Sequence, residues 1–100
     1  MTDTERFLEG RHAIVTGGSR GIGASVAAEF VARGAKVTIM GRDRETLERQ
    51  AQEMRGEEGV TVAVEECDVS DGQSVTGAFG RATANLGPPY ILVNNAGTAK

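Results

Sequence analysis

Four short apolar segments alternate with three longer amphipathic segments along the chain. The apolar segments predict strands over residues 13–16, 36–40, 60–64 and 90–93. The first is an unbroken apolar run, which is typical of a parallel strand that is covered on both faces. The third is rich in β-branched residues, which fit the pleated surface of a sheet.

The segments between these strands carry apolar residues at spacings near 3.6, which indicates three helices with one buried stripe each. The first helix is predicted over residues 22–33, and Gly34 suits the position just past its end. Its predicted stripe comprises Ile22, Val26, Phe30 and Val31.

Polar residues mark the starts of the other two helices. Asp43 is a plausible N-cap for a helix that extends to about Arg55. Ser70, with Gln73 three residues later, resembles a capping box for a helix that extends to about Leu86. The predicted stripes are Leu47, Ala51 and Met54 on the second helix, and Val75, Ala78, Phe79, Ala82 and Leu86 on the third.

The order β-α-β-α-β-α-β predicts an α/β fold with a parallel, doubly wound sheet. Right-handed crossovers and the strand order 3-2-1-4 place the first two helices on one face and the third on the other. Ligands bind such sheets where the winding reverses, here between the first and fourth strands. The fourth strand would be an apolar edge, so we expect residues 1–100 to be the N-terminal part of one domain, incomplete at its C-terminal side.

Composition excludes several classes of protein. The net charge of −3 offers no basic field to nucleic acid, and no apolar run approaches the length of a membrane span. One cysteine, Cys67, and one histidine, His12, argue against a disulfide and a metal centre. We expect Cys67 to pack inertly after the third strand, His12 to be exposed and structural, and the protein to be cytoplasmic.

A glycine-rich stretch, T-G-G-S-R-G-I-G at residues 16–23, lies between the first predicted strand and the first helix. Glycines allow a sharp turn and the close approach of a phosphate, which the free N–H groups of a helix start can bind. The spacing differs from the common G-x-G-x-x-G fingerprint. A tight turn without a ligand would also explain the glycines.

Three motifs in order resemble the short-chain dehydrogenase/reductase family. T-G-x-x-x-G-x-G begins at Thr16, an Asp-Val pair follows the third strand at Asp68, and N-N-A-G follows the fourth strand from Asn94. Together they cover nearly the whole chain and imply a Rossmann-like fold with a nicotinamide cofactor. The chain departs from the family at Tyr90, where an acidic residue is common before the fourth strand.

The resemblance implies a role for each matching residue. Thr16 would help to fix the glycine turn, and Asn94 would tie the fourth strand to its neighbours. Asp68 would accept a hydrogen bond from the adenine amino group, with the Val69 backbone beside it, although Asp68 could also be a plain turn residue. The residues expected to line the pyrophosphate and adjacent ribose are Gly17, Ser19, Arg20, Gly21, Ile22 and Gly23. Those expected to border the ribose and the nicotinamide side are Asn95, Ala96 and Gly97.

The end of the second strand predicts which nicotinamide cofactor binds. An NAD site places a carboxylate there to accept from the ribose 2′-hydroxyl, whereas this chain has Gly41 followed by Arg42. Arg42 and Arg20 could pair with a 2′-phosphate, which favours NADP, with NAD as the alternative. Asp43 is the rival ligand for a 2′-hydroxyl, but it suits the N-cap of the second helix better.

The resemblance implies an oxidoreductase that transfers a hydride between NADP(H) and a carbonyl or secondary alcohol, such as a 3-oxoacyl thioester or a similar ketone. The family's catalytic Ser, Tyr and Lys have no match, because Tyr90 has Asn94, and no Lys, four residues later. We therefore assign no catalytic residue and expect the chain alone to be inactive. The whole protein would act on a small-molecule substrate as a homo-oligomer, a dimer or tetramer. The alternative is a nucleotide-binding or regulatory module without catalysis of its own.

Overall fold

The computed structural model describes residues 7–17, 21–56 and 60–95. Its elements in chain order are β1 (His12–Thr16), α1 (Gly21–Ala32), β2 (Lys36–Gly41), α2 (Arg44–Met54), β3 (Val62–Glu66), α3 (Gly72–Leu86) and β4 (Ile91–Asn94). The four strands form one parallel sheet in the order β3-β2-β1-β4, which confirms the predicted doubly wound topology.

The two faces of the sheet are covered by different helices, as predicted. On one face, buried strand residues such as Val15 and Val37 pack with Ala27 of α1 and Leu47 of α2. On the other face, Ile14 and Met40 pack with the buried alanines of α3, Ala78 and Ala82. The central strands β1 and β2 are therefore covered on both sides, which explains why β1 is buried along its whole length.

The predicted stripe of α1 is wrong at its first member. Ile22 is 74% exposed, and the buried residues of α1 are Gly23 and Ala27. Neighbouring residues of a helix point about 100° apart, so a helix that packs through Gly23 turns Ile22 to the side. Val26, Phe30 and Val31 are partly buried, and the latter two pack at the margin of the core.

The strand β3 begins and ends two residues later than predicted. Pairing with β2 determines its register, with Val37 opposite Val62 and Gly41 opposite Glu66. The pattern of apolar residues missed the end of the strand because Glu65 is charged. In the structure, the Glu65 carboxylate accepts a hydrogen bond from Arg81 Nε at 2.8 Å, which satisfies this charge.

The start of α3 also differs from the prediction. Asp71, and not Ser70, is the N-cap, and its carboxylate accepts a hydrogen bond from the backbone N–H of Gln73 at 3.0 Å. Ser70 instead donates its hydroxyl to Asp68 Oδ1 at 2.7 Å. The caps of α2 at Asp43 and of α1 at Gly34, with a φ of 94°, agree with the predictions.

His12 is buried, which corrects the prediction that it is exposed. Its Nδ1 lies 2.8 Å from the carbonyl oxygen of Gly87, and its Nε2 lies 2.8 Å from Thr38 Oγ1. A carbonyl oxygen can only accept, so Nδ1 donates, and in the neutral imidazole Nε2 accepts from Thr38. The ring joins β1 to β2 and to the end of α3, a structural role that was predicted correctly.

The strand β4 lies at the edge of the described sheet, as expected. It pairs with β1 only, and the side chain of Leu92 is 55% exposed. Among the residues that the structure describes, no helix is both long enough and apolar enough to cross a membrane.

Candidate functional site

The turns that follow the four strands lie at one end of the sheet, because the carboxyl ends of parallel strands point in the same direction. Gly17 follows β1, Arg42 follows β2, Cys67 and Asp68 follow β3, and Asn95 follows β4. The winding of the sheet reverses between β1 and β4, so the crevice between Gly17 and Asn95 is the place where such a fold binds ligands.

The turn after β1 and the first turn of α1 approach each other so closely that only glycine fits at residue 23. A Cβ atom on Gly23 would collide with the carbonyl oxygen of Gly17 and lie 2.9 Å from Asn95 Nδ2. Gly17 and Gly21 have positive φ angles of 70° and 49°, which L side chains rarely adopt. A Cβ on Gly21 would meet no described residue within 4 Å.

Thr16 joins this turn to the end of β4. Its Oγ1 lies 3.0 Å from Asn94 Oδ1 and accepts a hydrogen bond from the backbone N–H of Asn95 at 3.0 Å. The predicted structural role of Asn94 therefore has a physical basis. The contact holds the first and fourth turns side by side at the reversal point.

The turn after β2 has a positively charged side chain, Arg42, and a carboxylate, Asp43, that is bonded within the N-cap of α2. Asp43 Oδ1 accepts from the backbone N–H groups of Glu45 and Thr46, at 3.1 and 3.4 Å, and Oδ2 accepts from Thr46 Oγ1 at 2.8 Å. Arg42 is exposed and forms no hydrogen bond or ion pair with any residue that the structure describes. At this end of β2, therefore, the guanidinium of Arg42 makes no hydrogen bond with a described residue, whereas both oxygens of Asp43 are engaged in the helix cap.

The turn after β3 presents a carboxylate. Asp68 Oδ1 accepts from both the backbone N–H and the hydroxyl of Ser70, at 3.0 and 2.7 Å. These bonds, with a smaller contribution from the charge of Arg42, hold the pKa of the Asp68 carboxyl below its ordinary value. Asp68 is therefore ionised at neutral pH and can only accept hydrogen bonds.

The turns after β2 and β3 border one cleft of about 410 Å³. Its lining residues are Arg42, Glu66, Cys67, Asp68, Ser74 and Arg81. The thiol of Cys67 is buried, and burial, followed by the charge of Asp68, raises its pKa. A raised pKa lowers the thiolate fraction, which is consistent with the predicted inert thiol.

Of the predicted site residues, nine lie within the described part of the chain. Thr16, Gly17, Gly21, Ile22, Gly23 and Asn95 lie around the reversal point, and Arg42, Asp68 and Val69 lie at the other two turns. Ser19, Arg20, Ala96 and Gly97 lie outside the described residues. No group of three His, Cys, Asp or Glu residues that could hold a metal occurs in the described part.

Three cleft residues were not predicted from the sequence, namely Glu66, Ser74 and Arg81. Ser74 lies in the first turn of α3 and accepts a hydrogen bond from the backbone N–H of Asp68 at 2.9 Å. Serine is common near helix starts, so its position carried no signal of this bond. Arg81 reaches the cleft along the helix past Gly77, where a Cβ would lie 3.2 Å from its Nη1.

The architecture defines the class of protein first, because four parallel strands in this order with helices on both faces form a Rossmann-like α/β fold. A family model described as short chain dehydrogenase matches residues 11–100, and the chain belongs to this family.

Named relatives support the family at similar levels of identity. The NADP-dependent (R)-specific alcohol dehydrogenase of Lentilactobacillus kefiri is 40% identical over 99 residues, which cover 99% of this chain and 37% of that protein. The D-threitol dehydrogenase of Mycolicibacterium smegmatis is 37% identical, over 98% of this chain and 37% of that protein. The chain spans a little more than a third of the length of these relatives.

A solved structure supports the fold. The L-sorbose reductase of Gluconobacter frateurii, crystallised with NADPH and L-sorbose, superposes with a TM-score of 0.88 at 31% identity. The superposition covers 96% of this chain and 36% of the reductase. The names of the relatives differ in substrate and agree in the type of reaction.

Proposed function

We propose that this chain is the cofactor-binding part of an oxidoreductase that transfers a hydride between NADP(H) and a carbonyl or secondary alcohol. Membership of the short chain dehydrogenase family supports the class of reaction, and two of the similar proteins are named for NADP or NADPH. The bound nicotinamide would supply the hydride chemistry, and the protein would supply binding and orientation. A 3-oxoacyl thioester stays one predicted substrate among several ketones.

The described residues fit such a dinucleotide at three turns. The Gly17–Gly23 contact leaves a bare backbone surface at the start of α1, where unpaired N–H groups favour a pyrophosphate. Asn95 lies against this surface and would border the ribose on the nicotinamide side. The ionised carboxylate of Asp68 would accept from the adenine amino group.

The observation that carries the choice of NADP(H) is the contrast between Arg42 and Asp43. Both oxygens of Asp43 accept hydrogen bonds within its helix cap, so turning this carboxylate toward a ribose 2′-hydroxyl would break bonds of the cap. Arg42 makes no hydrogen bond or ion pair with a described residue, lines the cleft and acts on Asp68 there through its charge. A guanidinium in this position suits a 2′-phosphate.

The described residues would supply cofactor contacts, and their one tyrosine lies away from the crevice. The chain has one tyrosine, Tyr90, and its backbone N–H donates to the carbonyl oxygen of His12 at the start of β1. Tyr90 therefore lies at the amino-terminal end of the strands, which is the end of the sheet opposite the crevice. This position supports the expectation that the 100-residue chain alone does not turn over substrate.

Titration of the complete gene product that contains these residues, with NADPH and with NADH, tests the proposal. We expect tighter binding of NADPH, and Arg42→Ala should weaken NADPH binding about 10- to 100-fold while leaving NADH binding unchanged. Arg49→Ala, on the exposed face of α2, is the matched control and should change neither. Tighter binding of NADH that is insensitive to Arg42→Ala would refute the choice of cofactor.

The alternative predicted from the sequence is a nucleotide-binding or regulatory module without catalysis of its own. This candidate predicts NADPH binding by the complete gene product without oxidation of NADPH in the presence of ketones. The oxidoreductase predicts that absorbance at 340 nm falls with at least one ketone of a broad panel, and that Gly23→Ala abolishes the fall.

A further inference from the structure

The turn between β3 and α3 holds Asp68 by four hydrogen bonds. Its backbone N–H donates to Ser74 Oγ at 2.9 Å, and its carbonyl oxygen accepts from the N–H of Asp71 at 2.9 Å. Its Oδ1 accepts from the N–H and the hydroxyl of Ser70, at 3.0 and 2.7 Å. Both the backbone and the side chain of Asp68 are therefore held in one orientation.

The same bonds leave one carboxylate oxygen available. Oδ2 receives no hydrogen bond from any residue that the structure describes, although Asp68 lines the same cleft as Arg42. Asp71 caps α3, so the helix does not need Asp68. The carboxylate of Asp68 is half-buried, and its Oδ1 accepts two hydrogen bonds whereas its Oδ2 accepts none from the described residues. Oδ2 can therefore accept a hydrogen bond from a ligand in one direction.

We propose that Ser70 is a positioning residue that makes this turn selective for a 6-aminopurine over a 6-oxopurine. The inference rests on the proposed contact between Asp68 and the adenine of the dinucleotide. An ionised carboxylate accepts from a 6-amino group, whereas a 6-oxo group is itself an acceptor and faces it unfavourably. Ser70 keeps Oδ1 turned to the protein and thereby directs Oδ2 to the ligand.

The hydroxyl of Ser70 is the part of this arrangement that a substitution can remove cleanly. Without it, Oδ1 retains only the backbone N–H at 3.0 Å, and the carboxylate can rotate. Rotation weakens a directed bond to the 6-amino group and leaves the phosphate contacts unchanged. The expected signature is a loss of base discrimination with little loss of fold, because Ser70 is exposed.

The test measures binding of NADPH and of its hypoxanthine analogue to the complete gene product. The parent protein should prefer NADPH. Ser70→Ala should lower this preference, measured as the dissociation constant of the hypoxanthine analogue divided by that of NADPH, about two- to tenfold. Ser70→Thr, which keeps the hydroxyl, should retain the preference. Ser70→Val, which has the shape of threonine without the hydroxyl, should lower the preference as Ser70→Ala does. Thr76→Ala, at an exposed position of α3, is the control and should retain it.

The outcomes separate this inference from the proposed function. If Asp68→Ala abolishes the preference and neither Ser70→Ala nor Ser70→Val reduces it, the role of Ser70 is refuted and the adenine contact stands. If Asp68→Ala leaves the preference unchanged, the adenine contact is refuted, and the inference with it. If neither dinucleotide binds, the proposed function itself is refuted.

Discussion

The turns after β2 and β3 carry the same residue at the same place and use it differently. Asp43 follows the last residue of β2 by two positions, and Asp68 follows the last residue of β3 by two positions. The helix α2 begins directly after Asp43, whereas α3 begins four residues after Asp68. Asp43 therefore caps its helix with both carboxylate oxygens, and Asp68 leaves the cap to Asp71.

The difference shows that the distance to the next helix decides whether a carboxylate at a strand end remains available. A carboxylate one residue before a helix satisfies the unpaired N–H groups of the first turn. Three residues inserted before α3 release Asp68 from this task, and Ser70 within the insertion binds its Oδ1. The proposed cofactor site then has a cation after β2 and an anion after β3.

The largest expected effect comes from the crevice between Gly17 and Asn95. Gly23→Ala forces a Cβ into the carbonyl group of Gly17, so the first turn of α1 must shift, at a cost of about 1–3 kcal/mol in the free energy of unfolding. Dinucleotide binding should fall more than tenfold in the same titrations. The measurements are denaturant unfolding and NADPH titration of the complete gene product.

Gly80→Ala is the matched control for this substitution. Gly80 is a helical residue of α3 at which a Cβ meets nothing within 4 Å. Alanine there should raise the free energy of unfolding by about 0.5–1 kcal/mol, since glycine is the poorer helix former. Equal effects of the two substitutions would contradict the close contact of Gly23 with Gly17.

The next largest effect separates the two aspartates directly. Asp43→Ala should lower the free energy of unfolding by about 0.5–2 kcal/mol, because α2 loses its N-cap. The ratio of NADPH to NADH affinity should not change. Asp68→Ala should show the opposite pattern, with a small effect on unfolding and a loss of adenine preference. A change of NADH affinity on Asp43→Ala would show that Asp43 contacts the ribose.

The smallest expected effect is a shift in the titration of Asp68. Its folded pKa is lowered chiefly by the hydroxyl and N–H of Ser70, with a lesser contribution from Arg42 after β2. A lowered folded pKa means that ionised Asp68 stabilises the fold above the unfolded pKa, and that this contribution is lost as pH falls through the folded pKa. The other ionisable groups at the cleft are Glu66 and Cys67 from β3 and its turn, and Arg81 from α3.

Ser70→Ala should therefore move the Asp68 pKa upward, toward the ordinary aspartate value. Carbon-13 NMR of the side-chain carboxyl across the acid range measures the shift, and Thr76→Ala is expected to leave it unchanged. An unchanged pKa in Ser70→Ala would show that the hydroxyl does not hold Oδ1 in solution.

The alternation of apolar segments was sufficient to predict a parallel sheet, and with the expected strand order 3-2-1-4 the right-handed crossovers place the helices on the faces where the structure has them. It could not predict where β3 ends. The register depends on pairing with β2, and Glu65 is accommodated by Arg81, sixteen residues later. The burial of His12 likewise depends on partners from β2 and the end of α3, which no local pattern reveals.

The candidate site was predictable where a constraint on the backbone requires a particular residue type. Position 23 requires glycine, because the Cβ of any other residue would collide with the carbonyl group of Gly17. The functions of Ser70 and Ser74 could not be predicted, because a serine after a strand fits a cap, a turn or a loop equally well. Only their bonds to Asp68 distinguish these uses.

The most direct test of the contrast between the two turns is a crystal structure of the complete gene product with NADPH. The account predicts the 2′-phosphate within hydrogen-bond distance of the Arg42 guanidinium, and Asp43 still bonded to the N–H groups of Glu45 and Thr46. It also predicts the adenine amino group on Oδ2 of Asp68, with Ser70 on Oδ1. An Asp43 carboxylate released from α2 and bonded to a ribose hydroxyl, with Arg42 away from the phosphate, would contradict it.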